Sequence, residues 1–329
     1  MAIQPSELKL YRSATVTRTG ANGGRLSASE VVSGNKNNIF PDIFERDRAN
    51  GAVFYRKLFF KLAQAGNASL NNARVYLGAP TPSGTRLLLA PGTQRDNQAD
   101  FIATPPSRWY GAGTLQSSAG AGATELVVDV EVAADGIFQE GDSVVIADGA
   151  NKEIAAIASG GVAWNGNQAT LTLEAGVLHD YAAHTANAPV TVSSCIAQSA
   201  VTATLSDWVE NGYPLANEFI LSGFALDNIG TIEQNWTLTY IGSSEFSVVG
   251  DTVGSIGTGA GGVNFAPSNA RFARPFFTLF GLWTTRAVGF TVTFKTHPAA
   301  LPFWAKLVVP AGTAAGDGPE TPVIHLMGE

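Results

Sequence analysis

The chain is poor in cysteine and in charge. One cysteine, Cys195, stands among 329 residues, so no intrachain disulfide can form. The local sequence VSSCIAQS offers no base to activate the thiol, and a small buried hydrophobe is its expected role. Charged residues make up 14%, against about 25% in typical soluble domains. A chain with so few charges is expected to hide part of its surface against partners. No apolar run approaches the roughly 20 residues of a membrane-spanning helix. The N-terminus MAIQPSELKL lacks the basic and apolar segments of a signal peptide. No membrane partner is expected, and the lone thiol fits assembly in a reducing cytoplasm.

Motifs of common chemistries are missing too. There is no G-x-S-x-G elbow and no G-x-x-x-x-G-K-[ST] phosphate loop. His179 and His184 are five residues apart in HDYAAH, with no glutamate beside the first, and they read as a solvated loop rather than a metal site. His297, just before a proline in KTHP, reads as an extended corner. GSIGTGAGG (254–262) reads as a mobile loop. The acidic residues Asp129, Glu131, Asp135, Glu140, Asp142 and Asp148 form the best pool for a pair of catalytic carboxylates. Their places at turns and on wet strand faces favour solvation instead. No catalytic, cofactor or metal residue is assigned, and no cofactor is expected.

What is abundant is glycine, 36 residues, with β-branched residues between the glycines. That composition favours strands and turns. In TELVVDVEV, Leu126, Val128, Val130 and Val132 alternate with Asp129 and Glu131, which face water. IFQEGDSVVIADG turns at Gly141-Asp142, runs as a strand through Val144 to Ile146 and stops at Asp148-Gly149. Asn165-Gly166 marks a hairpin. Residues 112–197 therefore read as a small five- or six-stranded barrel. On either side, VFYRKLFFKLA, NNARVYL, NWTLTYI and GFTVTFKTHP read as strands. PDIFERDRANG reads as a short helix, with Pro41 at its start and Gly51 as its stop.

Charge divides along the chain. Residues 1–111 carry a net +7, residues 112–197 a net −9 and residues 198–329 a net −5. Such a bipolar subunit is expected to meet copies of itself through opposite ends. Arg46, Arg48, Arg56, Lys57 and Lys61, on the positive side, and Asp129, Glu131 and Asp142, in the acidic barrel, are the candidate assembly contacts. The basic residues interleave with Phe44, Phe54, Tyr55, Phe59 and Phe60. That pattern also occurs on nucleic-acid surfaces, but the aromatics are too many and too regular for a solvent face. Tyr55, Leu58 and Phe60 are expected in a core or an interface, and nucleic acid is not the expected partner.

Several stretches carry a resemblance. FPDIFERDRANGAVFYRKLFFK, APGTQRDNQADF, RWYGAGTL, NFAPSNARFARPFFTL and TVTFKTHPAALPFWAKLVVPAG resemble a family of virion structural proteins of tailed bacteriophages. ATELVVDVEVAADGIFQEGDSVVI is similar to β modules of phage tail proteins. The resemblance implies a structural part rather than an enzyme, placed in the tail or baseplate, with a capsid decoration or minor head protein as the alternative. It implies other virion proteins as partners and the virion as the location. A host-surface ligand for the barrel is a further alternative.

The expected fold is all-β with very little helix. It comprises β-sandwich-like parts at 1–111 and 198–329, related to or shared with each other, and an inserted acidic β-barrel at 112–197.

Overall fold

A computed structural model describes residues 3–81, 84–211, 213–214, 223–281, 285–315 and 323–329. Strands account for 49% of the structure and helix for 6%. The all-β expectation holds.

The strand Ala52–Leu62 is the spine of the first unit. It lies between Leu8–Thr15 and Ala300–Val309. Gly23–Glu30 and Arg86–Pro91 complete a five-stranded sheet. A three-stranded sheet of Ile196–Val201, Leu70–Leu77 and Ile324–Met327 supplies the opposing layer. Leu58, Phe60, Leu62, Val75, Leu77, Leu301, Phe303 and Leu307 share the resulting core. The spine is buried almost continuously because both its faces are covered. Its even-numbered apolar residues enter the sandwich core, while Lys57, Phe59 and Lys61 point the other way.

Two insertions leave this sandwich. The first is a closed six-stranded antiparallel barrel of Ala112–Leu115, Glu125–Asp129, Ser143–Ala147, Lys152–Asn165, Gln168–Leu173 and Thr191–Ser194. Leu126 and Val128 point into its core, and Asp129 and Glu131 are exposed. The hairpin turn is Gly166-Asn167, with Asn165 paired to Gln168. Gly166 supplies the positive φ of 59° that a two-residue turn requires. The ends of the barrel meet where the Ser194 amide donates to Gly111 O at 3.0 Å. Adjacent ends let a host sheet accept an insertion without distortion.

The second insertion is a six-stranded sheet, in the order Tyr213–Pro214, Thr204–Glu210, Thr291–His297, Gln234–Tyr240, Glu245–Gly250, Gly254–Ala260. Its core is aromatic, with Trp208, Trp236, Tyr240, Phe246, Phe277 and Phe294. The region 198–329 therefore does not form one sandwich of its own. Residues 300–309 and 324–327 return to the first unit, and the strands from Thr204–Glu210 to Thr291–His297 build the inserted sheet.

Two local expectations need correction. Helix Glu45–Asn50 starts four residues after Pro41, where Asp47 Oδ2 accepts from the Phe44 amide at 3.3 Å. It stops at Gly51 with φ 78°. The glycine-rich 254–262 is not a loop, because Gly254–Ala260 pairs with Glu245–Gly250 as an edge strand. Gly254 and Gly257 take positive φ of 72° and 118°, whereas Gly259 serves close packing. A Cβ on Gly259 would stand 2.2 Å from the buried Phe246 ring. Gly259→Ala is expected to destabilise the fold by about 1–3 kcal/mol, read as a lower midpoint in chemical denaturation. An unchanged midpoint would mean that the ring has room to retreat.

Candidate functional site

The eight candidate contact residues separate into surface groups and internal ties. Arg46 is exposed on its helix, 5.7 Å over the Phe44 ring. Arg48 Nη1 donates to Ile43 O at 2.9 Å, and its carbonyl accepts from the Gly312 amide at 2.8 Å. Asp129 and Glu131 stay on the barrel surface. Asp129 accepts from Gln168 Nε2 at 3.1 Å and Glu131 from Thr81 Oγ1 at 3.4 Å.

The other four are corrected from surface contacts to internal ones, since each side chain is enclosed and already partnered. Arg56 donates to the carbonyls of Ile39, Thr17 and Tyr55. Lys57 is paired with Asp96 at 2.6 Å. Lys61 donates to Asn228 O at 2.8 Å. Asp142 is paired with Arg108 and accepts from the Gln139 amide at 2.9 Å.

The division of charge along the chain is also used internally. Arg86 pairs with Asp135 at 2.8 Å and Arg108 with Asp142, joining the sandwich to the barrel. Arg95 pairs with Glu233 at 2.5 Å and Arg25 with Asp251 at 2.5 Å, joining the sandwich to the inserted sheet. Segments of opposite sign thus meet within one subunit, so the charge split does not by itself call for head-to-tail copies.

A set of buried polar contacts crosses the seam between sandwich and inserted sheet. Lys61 leaves the outward face of the spine and ends 5.0 Å from the Phe272 ring. Burial pushes its ammonium down to about 7. Asn228 fastens the opposing turn. Its Nδ2 donates to Ala68 O at 2.8 Å, and its Oδ1 accepts from the Ala203 amide at 2.9 Å.

At one end of this seam, three neighbouring strands bring Ser206, His297 and Glu233 into a row. Thr204–Glu210 pairs with Thr291–His297, which pairs with Gln234–Tyr240. Ser206 Oγ lies 2.8 Å from His297 Nε2, and His297 Nδ1 lies 2.6 Å from Glu233 Oε2. Glu233 is only 3% exposed, and Arg95 holds its other oxygen. Arg95 Nη2 donates in turn to Asn235 Oδ1 at 2.8 Å. Burial pushes the Glu233 carboxyl up, but donation from His297 and Arg95 outweighs it and holds the group below the usual carboxylate range. Just past Ser206 the ladder slips. Ser206 faces Lys295, whereas Val209 faces Thr293, so the Thr204–Glu210 strand carries a bulge. Asp207 sits in that bulge at φ 52° and pairs with Lys295 at 2.7 Å.

Sequence reasoning made His297 a corner and missed the row. Ser206 and Glu233 lie 91 and 64 residues from it, and no local spacing signals such a meeting. Of the other candidates, His184 Nδ1 accepts from the Val190 amide at 3.1 Å, a loop tie. Cys195 is buried, and burial pushes its thiol up to about 12. Among the described residues, no group of three or more His, Cys, Asp or Glu is placed to hold a metal ion, and no helix is long and apolar enough to cross a membrane.

Comparison of the chain with protein-family models, curated proteins and solved structures finds no match.

Proposed function

We propose that the chain is a structural subunit of a tailed-bacteriophage virion, sited in the tail or baseplate, that works through contacts with copies of itself and with other virion proteins. It would assemble in the host cytoplasm. The observation that carries the reading is Phe44. It is 54% exposed, with the guanidinium groups of Arg18 and Arg46 at 5.9 and 5.7 Å from its ring. A solvent-facing aromatic flanked by arginines has the composition of an interface hot spot. It belongs to FPDIFERDRANG, the stretch in which the phage resemblance begins. The exposed carboxylates of Asp129 and Glu131 on the barrel offer a complementary surface. A second reading, a barrel that binds a host-surface ligand, is favoured by Trp164, 38% exposed near the tip of the hairpin of Lys152–Asn165 and Gln168–Leu173.

Native mass measurements over a range of concentration and salt test the assembly reading. Oligomers are expected. Phe44→Ala combined with Arg46→Glu is expected to weaken them by about tenfold or more. A monomer at every concentration and salt would count against self-assembly. Immunogold labelling of the particle tests its place. Label on the tail supports the tail or baseplate, label over the head makes this a decoration or minor head protein, and an unlabelled particle lacking the chain overturns the virion reading.

A further inference from the structure

We infer that Ser206, His297 and Glu233 form a nucleophile–base–orienter relay that cleaves short-chain carboxylic esters. The inference goes beyond the assembly reading and is independent of it.

Three features carry it. The first is connectivity. A serine becomes a useful nucleophile when a base stands within hydrogen-bond reach and a third group orients that base. Here the distances are 2.8 Å from Ser206 to His297 and 2.6 Å from His297 to Glu233. The second is polarity. The Glu233 carboxylate accepts from Nδ1 and so keeps the imidazole proton on that nitrogen, leaving Nε2 free to accept from the serine hydroxyl. Arg95 fixes the carboxylate from its other side, so Glu233 and Arg95 are positioning residues. The third is local backbone. The residue after the nucleophile, Asp207, takes a left-handed conformation within a bulge. Strained non-glycine residues concentrate at functional sites, and bulges re-aim neighbouring side chains.

The substrate class follows from exposure. His297 presents 28% of its side chain to solvent, and Ser206 is half-buried. A nucleophile and base that are both partly open to solvent suit a small ester. Lys295 stands directly across the ladder from Ser206, where its pair with Asp207 at 2.7 Å ties the bulge beside the nucleophile to the neighbouring strand.

The chemistry balances without a further reactant except water. Ser206 Oγ bonds to the ester carbonyl carbon as its proton passes to His297 Nε2. The carbon–alkoxide bond then breaks, and the alcohol leaves with that proton. Water attacks the acyl-serine and gives a proton to Nε2. The bond from Oγ to the acyl carbon breaks, the serine recovers its proton and the carboxylic acid departs.

The test uses the full chain with a fluorophosphonate probe, which phosphonylates an activated serine with loss of fluoride, together with p-nitrophenyl acetate hydrolysis. Peptide mass spectrometry is expected to place the adduct on Ser206. Ser206→Ala is expected to abolish both signals with an unchanged melting curve. His297→Gln removes the base without disturbing the Arg95–Glu233 pair and is expected to slow labelling by about 100-fold or more. Glu233→Gln is expected to slow it as well, with partial recovery in Glu233→Asp, which keeps the charge; a purely structural glutamate would not give that rescue in labelling rate. Absence of an adduct on Ser206, or labelling as fast in His297→Gln as in the parent, would overturn the inference and leave the row as a hydrogen-bond ladder across three strands.

Discussion

Replacing Asp96 with alanine is expected to destabilise the fold by about 3–5 kcal/mol. The side chain of Lys57 is fully enclosed and its Nζ lies 2.6 Å from Asp96 Oδ1. Without that carboxylate the ammonium keeps the Asp96 carbonyl, at 2.9 Å, and the Phe59 ring, at 5.1 Å, neither of them charged. The loss extends further, because Asp96 Oδ2 accepts from Trp304 Nε1 at 2.6 Å and Oδ1 accepts from the amide and hydroxyl of Thr93 at 2.9 Å each. A buried indole and a buried ammonium would both lose a charged acceptor. Guanidinium denaturation at neutral pH reads the effect. Combining Asp96→Ala with Lys57→Met is expected to recover part of the loss, because a buried pair removed together costs less than one partner stranded. A single-variant loss under about 1 kcal/mol would mean that water reaches the pair.

The second large effect is a dependence on pH centred on Lys61. Burial lowers its folded-state value from 10.5 to about 7, partly offset by the Asp227 charge. Between those two values the unfolded chain keeps a proton that the folded chain has released. Stability therefore rises with pH across that window, with a slope on the order of 1 kcal/mol per pH unit from this group. Below about 7 the lysine is charged in both states, and the cost of burying that charge is felt in full. Lys61→Met is expected to raise stability at neutral pH and to flatten the rise. Burial also raises the hydroxyls of Tyr11, Tyr76 and Tyr110. Those groups lose stability as pH climbs past the ordinary tyrosine value of about 10. The comparison is therefore made from pH ~7 to ~9.5 as the difference between parent and variant, where the lysine slope stands clear of them. Parallel pH profiles for the two proteins would rule out the assignment.

Much of the barrel was legible because its signals are local. Leu126 and Val128 alternate with Asp129 in the sequence and on the barrel wall alike. Asp148 stops its strand by accepting from the amides of Ala150 and Asn151, at 2.9 and 2.6 Å. A second helix, Gln98–Ala103, was open to the same reading. Asn97 and Asp100 cap it reciprocally, each side chain accepting from the other's amide. The spine strand was legible as buried but not as two-faced. Lys57 and Lys61 look like surface cations until the segment that covers them is placed.

Composition and short-range pattern thus account for the all-β class, the barrel and most turn positions, since a strand's alternation and a turn's positive φ act over only a few residues. Contacts across long separations decided the rest. Residues 300–309 lie inside the first sheet, beside its central strand, because they pair along their whole length with 52–61, a choice that no local preference makes. The opposite charges of separate segments became internal ties for the same reason. Ser206, Glu233 and His297 share a row only because sheet register sets three distant strands side by side. Register depends on which strands meet, and that is a property of the folded chain as a whole.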